Sequence, residues 1–372
     1  MLFLFEKYII FIDSFQELGM ASIQADATTS GKDFSLTFCQ VISAFAVLIL
    51  HANGCFWEFP TTENYWASAN IIESVFYFGV PVFFMITGIT LIDYQERYST
   101  RVYFKKRIMK TLIPYLAWTL IHITIMLITG LESNKLSPMN IINGFIGTES
   151  VVAHYWFFHF LFVVYLCIPL FAAVEKKKRS NTFKYLIVIG FISNVLVPFI
   201  LSGFQLNLDW PYMVSVVAGY LIFVLGGYYI YNNPPQKYVK IVIYTLAIAG
   251  LFMHIVGTYI LSMKFGEIHA QFKGYTNLPS VLYSFGVFIL LRDIASLVEK
   301  ATWLKKLVLT LGKYSFAVFL IQWSIYLVIG HLFEAYTASL LYRLVLPIII
   351  YIVIMFVTWC LRKIPLIKYI VP

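Results

Sequence analysis

His51 heads the short list of residues in this chain that can do chemistry. It closes the apolar run Gln40-Val-Ile-Ser-Ala-Phe-Ala-Val-Leu-Ile-Leu-His51-Ala-Asn53-Gly54. An imidazole is near-neutral at pH 7 and can take a proton from a hydroxyl. The plainer reading is an interfacial histidine hydrogen-bonded to a neighbouring helix. Gln40 lies close to three helical turns earlier, so it shares a face with His51, about 16 Å away along the axis. Ser43 falls near that face. The resulting polar stripe suits a lined tunnel, or else hydrogen bonding between helices. Glu73, in Asn70-Ile-Ile-Glu73-Ser74, can orient His51 or hold an acceptor hydroxyl; a carboxylate facing water at the interface is the alternative. Asn53 is a second candidate for orienting His51. With His154 and Trp156 it is also a candidate for binding substrate, although Trp156 and its neighbours read equally as an aromatic belt.

A second group lies in Tyr103-Phe-Lys-Lys-Arg107-Ile-Met-Lys110-Thr-Leu-Ile-Pro114. Arg107 and Lys110 are three positions apart and share a face of a regular helix. That pair suits the phosphates of a nucleotide-like cofactor. Plain anchoring among headgroups, with snorkelling stems, is the other reading. No metal site is expected. His154 and His159 do not share a helix face, and Cys39, Cys55, Cys167 and Cys360 lack ligand spacing. The sequence has no Gly-rich phosphate loop, Ser-His-Asp signature or His-Glu-x-x-His.

These residues need a frame, and the composition supplies it. Of 372 residues, 60% are hydrophobic and 12% charged, with mean hydropathy +0.80. Soluble domains carry about 25% charged residues, and much of any folded surface must face water. A water-soluble enzyme, a disordered chain and a disulfide-stapled secreted domain are excluded. The fold class is all-α, a polytopic transmembrane helix bundle. At roughly 20 apolar residues per span, ten candidates occur: 36–54, 70–92, 111–130, 156–174, 184–203, 213–231, 240–262, 277–298, 314–333 and 340–361. Pro81 is expected to kink the second, and Gly79 and Gly88 to permit close helix approach.

The formal net charge is +9, which raises nucleic acid as a partner. Placing the N-terminus in the cytoplasm puts 23 of the 27 Lys and Arg residues on that side. Only Lys135, Lys264, Lys273 and Arg343 fall on the other. That asymmetry follows the positive-inside bias, predicts both termini cytoplasmic, and removes the need for nucleic acid. Residues 1–35 read as a cytoplasmic segment, expected to be mobile, with residues 1–12 too short to span and Met20 an alternative start. Residues 36–361 form the membrane domain and 362–372 a cytoplasmic tail. Residues 296–312 read as an amphipathic helix on the inner surface, with Lys305 and Lys306 toward headgroups.

Five segments, in order, resemble the acyltransferase-3 family of bacterial integral-membrane O-acyltransferases. They are Val-Leu-Ile-Leu-His51-Ala; Val80-Pro-Val-Phe-Phe-Met-Ile-Thr-Gly88; Phe104-Lys-Lys-Arg107-Ile-Met-Lys110-Thr-Leu-Ile-Pro114-Tyr; His154-Tyr-Trp-Phe157 continuing to Tyr165 and Pro169; and Leu311-Gly-Lys-Tyr-Ser-Phe-Ala-Val-Phe-Leu-Ile-Gln322. The resemblance covers about residues 36–325. It implies an enzyme of the bacterial inner membrane that moves an acyl group, often acetyl, from cytoplasmic acyl-CoA to a hydroxyl of a surface glycan or lipid-linked sugar. It also implies that His51 is the essential histidine and that Arg107 and Lys110 serve the CoA side. Three positions depart from the family pattern: Gln40 and Lys110 stand where Arg is common, and Gln322 where His is common.

On this reading the acyl-CoA (acetyl-CoA) co-substrate is gripped by Arg107 and Lys110. Its arm passes Gln40, and His51 acts as base or acyl relay with Glu73 or Asn53 orienting it. Two rivals stand beside it. One is a transporter or flippase of a lipid-linked sugar, which would favour inverted repeats and broken helices that the sequence does not display. The other is a non-catalytic polysaccharide export factor, supported by the three departures and opposed by the intact His51.

Overall fold

A computed structural model describes residues 33–59, 65–146, 151–204, 211–365 and 367–371. Residues 1–32, with Met20 and nearly all of the segment expected to be mobile, lie outside the described residues, as does most of the 203–211 loop. Every element is helical, with no strand among the described residues.

Among the described residues, eight helices are long and apolar enough to cross a membrane. They are α1 (Phe34–Ala52), the broken pair α2 (Tyr65–Phe76) and α3 (Gly79–Leu91), α4 (Thr100–Thr129), α5 (Trp156–Ala172), α6 (Lys176–Gly203), α8 (Lys237–Phe265), α9 (Leu278–Val298) and α11 (Ser315–Leu332). The other two apolar runs form shorter helices, α7 (Leu221–Asn232) and α12 (Leu346–Leu361), of 12 and 16 residues. The last run is shortened by a break. Leu340–Leu344 is a separate turn, and α12 restarts just before Pro347, which suits a first helical turn because it has no N–H to leave unpaired. The surface helix expected over 296–312 is confined to α10 (Thr302–Gly312), because α9 continues through Val298.

The first helix is the axis of the bundle. Asp33 caps it, accepting from the Ser35 amide at 2.8 Å, and Tyr231 donates to the same carboxylate at 2.7 Å. The cap satisfies an N–H that the first turn leaves without a helical partner. Cys39, Ala44, Ala46 and Leu48 of α1 are fully buried, and α3, α9, α10, α11 and α12 pack around it. By contrast α6 and α8 bury only 11% and 17% of their apolar windows, against 61% for α1, so they form the rim.

Two details shape the interior. A Cβ on Gly88 would sit 2.0 Å from the Val224 carbonyl oxygen, and one on Gly227 would sit 2.5 Å from the Met85 Cα. The α3 and α7 backbones therefore touch, as small residues allow in a membrane, where packing substitutes for a hydrophobic drive. The kink expected from Pro81 falls at Tyr77–Phe78, one turn earlier, because Pro81 offers no N–H to the Tyr77 carbonyl. The break leaves Tyr77 at the head of the cavity described next.

Candidate active site

The end of the bundle where α1 terminates holds a cavity of about 530 Å³. Its walls include His51, Glu73, Tyr77, His154, Trp156 and Tyr275. Four of the expected site residues thus meet at one place, from α1, α2, α5 and the turn before α5. His51 is half-buried. Its ring meets His154 edge to face, with centroids 5.2 Å apart, and lies 6.4 Å from Tyr326. Tyr326 donates to the Leu48 carbonyl at 2.7 Å, which pins α11 against the turn that carries His51.

The tautomer of His154 follows from its partner. Nε2 lies 3.0 Å from the Phe319 carbonyl. A carbonyl only accepts, so Nε2 carries the proton and Nδ1 is a bare acceptor, buried and unpartnered. Next to it, His122 of α4 and the Tyr155 hydroxyl both reach the Leu320 carbonyl, at 2.8 Å each, and His122 Nδ1 pairs with Ser324. This knot ties α4 and the Ala153–Tyr155 turn to α11, fixing the wall on which His154 sits.

Aromatic faces also line the cavity. Tyr77 and Tyr275 stack at 4.2 Å with planes 10° apart, and Trp156 stacks on Tyr275 at 5.5 Å. Tyr275 belongs to the loop between α8 and α9, which folds into the mouth. The Gly274 amide donates to the Tyr77 hydroxyl at 3.1 Å, and Gly274 adopts φ 112°, a left-handed conformation that glycine permits. Ser280 donates to the Gly274 carbonyl at 2.6 Å and is itself bonded to His254 at 2.8 Å.

Asn53 is not part of the cavity wall, and neither Asn53 nor Glu73 is hydrogen-bonded to His51. The Asn53 amide donates to the Ala69 carbonyl at 2.9 Å and to Glu73 Oε2 at 3.1 Å. Its carbonyl oxygen accepts from Arg343 at 3.3 Å. Asn53 therefore holds Glu73 while Glu73 faces the cavity. Lys273 lies near this carboxylate, buried, and donates to Ser74 at 2.7 Å. Burial holds the Lys273 ammonium below its ordinary range, and the nearby Glu73 carboxylate opposes that shift.

Gln40, Arg107 and Lys110 stand away from this cavity. Gln40 is half-buried lower on α1, and Ser43 above it is fully buried with an unpartnered hydroxyl. Arg107 packs beside the Tyr103 and Tyr165 rings at 5.8 and 5.5 Å, at the other end of the bundle, with its Nε buried and unpaired. The shared face expected for Arg107 and Lys110 is altered, because Ile108–Leu112 forms a π-turn. A wider turn carries each residue through a smaller angle than an α-turn does, so Lys110 falls short of the face that Arg107 occupies.

Sequence reasoning did not single out Lys273, Arg343, Tyr77, Tyr275, Tyr326 or His122 as site residues. For Lys273 and Arg343 a signal existed: both belong to the four basic residues on the minority side of the charge count.

A polytopic helical membrane protein with a histidine and a carboxylate opening on one aromatic-walled cavity is a membrane enzyme in outline. The family model for the acyltransferase-3 type, described as an acyltransferase domain, matches residues 33–362. The chain belongs to that family and is a membrane acyltransferase. No curated protein and no solved structure matches it.

Proposed function

We propose that the protein transfers an acyl group, acetyl in the first instance, from cytoplasmic acyl-CoA to a hydroxyl of a surface glycan or lipid-linked sugar at the bacterial inner membrane. The observation that carries this reading is the cavity itself. His51 and Glu73 open on it together with stacked Tyr77, Tyr275 and Trp156. Aromatic faces pack on the C–H faces of a sugar, and a carboxylate accepts from its hydroxyls.

The chemistry needs little beyond position and a base. His51 accepts the proton of the sugar hydroxyl as its oxygen attacks the thioester carbonyl. The C–S bond then breaks, and the thiolate leaving group takes the proton from His51. A thioester is already activated, so base catalysis of roughly 10²–10⁴-fold with correct placement is sufficient. Arg107 and Lys110 receive the phosphates of the donor at the cytoplasmic end, in keeping with the unpaired Arg107 Nε.

The test is mass spectrometry of surface glycans from cells carrying the wild-type gene, no gene, or the His51→Asn variant. Wild-type cells are expected to show one extra acyl mass per repeat, absent from the other two at equal protein in the membrane. An unchanged glycan in all three overturns the reading.

A further inference from the structure

Basic residues are scarce on the side of the bundle assigned to the outside. There are four, Lys135, Lys264, Lys273 and Arg343, and two of them are not at the surface. Arg343 is 1% exposed and Lys273 is 2% exposed. Burying a cation is strongly unfavourable unless charge and hydrogen bonds compensate. Neither residue forms a direct ion pair within 4 Å among the described residues. Both instead converge on the surroundings of a single buried carboxylate, Glu73, which is 3% exposed.

The convergence follows two routes. Arg343 uses its fork on two residues at once, donating to Asn53 at 3.3 Å and to Ser68 at 2.9 Å. Its Nε adds a longer contact of 3.4 Å to the Ser339 carbonyl, the cap of its own short helix. Asn53 then donates to Glu73 at 3.1 Å, so the guanidinium acts on the carboxylate through one carboxamide whose orientation it fixes. Lys273 comes from the α8–α9 loop, bonds Ser74 next in sequence to Glu73, and packs over the Phe56 ring at 5.0 Å. The next two residues of that loop are Gly274 and Tyr275, both cavity walls. One lysine therefore seats both Glu73 and the aromatic roof.

We propose that Arg343 and Lys273 are positioning residues that clamp Glu73 as the carboxylate orienting the acceptor hydroxyl beneath His51. This rests on the acyltransferase reading given above and deepens it. The clamp belongs to the acceptor step alone, because both residues lie at the His51 end and the donor-binding candidates Arg107 and Lys110 lie at the other.

The experiment compares wild type with R343Q, K273M, R343K, E73Q and the double variant R343Q/E73Q, each as the full chain. Two readouts are taken: acyl groups per glycan repeat by mass spectrometry in cells, and the thermal shift that acetyl-CoA gives the purified protein. R343Q and K273M are expected to lose glycan acylation at least 10-fold while keeping the wild-type thermal shift. R343K, which keeps the charge but not the fork, is expected to recover part of the loss. R343Q/E73Q is expected to be no worse than E73Q, since residues acting through one another are not additive. A merely structural role for Arg343 would add its loss to that of E73Q and erode the thermal shift. Either result overturns the clamp, as does wild-type acylation by R343Q. A wild type that neither acylates glycan nor responds to acetyl-CoA overturns the acyltransferase reading and the clamp together; an active wild type with an active R343Q overturns the clamp alone.

Discussion

His51 and His154 meet edge to face at 5.2 Å, with ring planes 70° apart. The two are not equivalent. His154 is fixed through its Nε2 proton to the Phe319 carbonyl, whereas no side chain is hydrogen-bonded to His51 among the described residues. The free ring is the one suited to exchange a proton with substrate. His51→Asn should lower glycan acylation by roughly 10²–10⁴-fold, the usual range for a lost general base. His154→Gln, which leaves His51 intact but loosens its wall, should cost clearly less. Acyl content per repeat in cells with matched membrane protein levels checks both. An equal loss in the two variants would move the base assignment to the pair.

Arg107 and Lys110 lie at the opposite end of the bundle, and the π-turn between them separates them more than a regular helix would. Arg107 is the better placed for an anion, with its guanidinium beside two tyrosine rings and Nε unpaired. Arg107→Ala should raise the acyl-CoA concentration for half-maximal transfer by about 10-fold, the loss of one charge-assisted contact. Lys110→Ala should raise it by less. Initial-rate measurements in inverted membrane vesicles distinguish this from anchoring, which predicts unchanged donor dependence and less protein in the membrane.

The sequence makes some of this site legible and hides the rest, for physical reasons. Lipid forces backbone hydrogen bonds inside helices and penalises polar side chains, so His51, Glu73 and His154 stand out against an apolar background. The role of Asn53 is different in kind. Its partner Arg343 is 290 positions away, and Lys273 is 199 positions from Ser74. Such pairs depend on how helices assemble, which periodicity along one helix does not encode. The Arg107–Lys110 geometry escapes for a related reason, since a π-turn is a departure from the very period used to infer a shared face.

Lys273 also predicts a pH dependence of stability. Burial lowers its folded-state pKa from 10.5, with Glu73 opposing the shift. A lysine with a lowered folded pKa binds fewer protons folded than unfolded between the two values. Stability therefore rises with pH up to the ordinary lysine range and is lost as pH falls through the lowered folded value. Thermal unfolding in detergent, followed from about pH 7 to about pH 10, should show that rise in wild type and a flatter profile in K273M. Parallel profiles would mean that Lys273 titrates as an exposed lysine does.

Arg179 is one of the 23 basic residues on the side assigned to the cytoplasm, yet it is 7% exposed and has a structural task. Its guanidinium pairs with Asp93 beyond α3, and its Nε donates to the Val174 carbonyl beyond α5 at 2.8 Å. Tyr228 of α7 donates to the same Asp93 carboxylate at 2.9 Å. Four helices are thereby joined at the end opposite the cavity: α3, α5, α6 and α7. Arg179 is buried while Asp93 is 27% exposed, so removing the guanidinium leaves a half-buried carboxylate short of a charged donor, at about 1–3 kcal/mol. Arg179→Gln should therefore lower the unfolding temperature and the amount of protein in the membrane. Lys177→Gln, an exposed neighbour in the same basic run, should change neither, since an exposed charge contributes little to stability. Equal behaviour of the two variants, by thermal unfolding and membrane quantification, would reduce Arg179 to one more positive charge on the inner face.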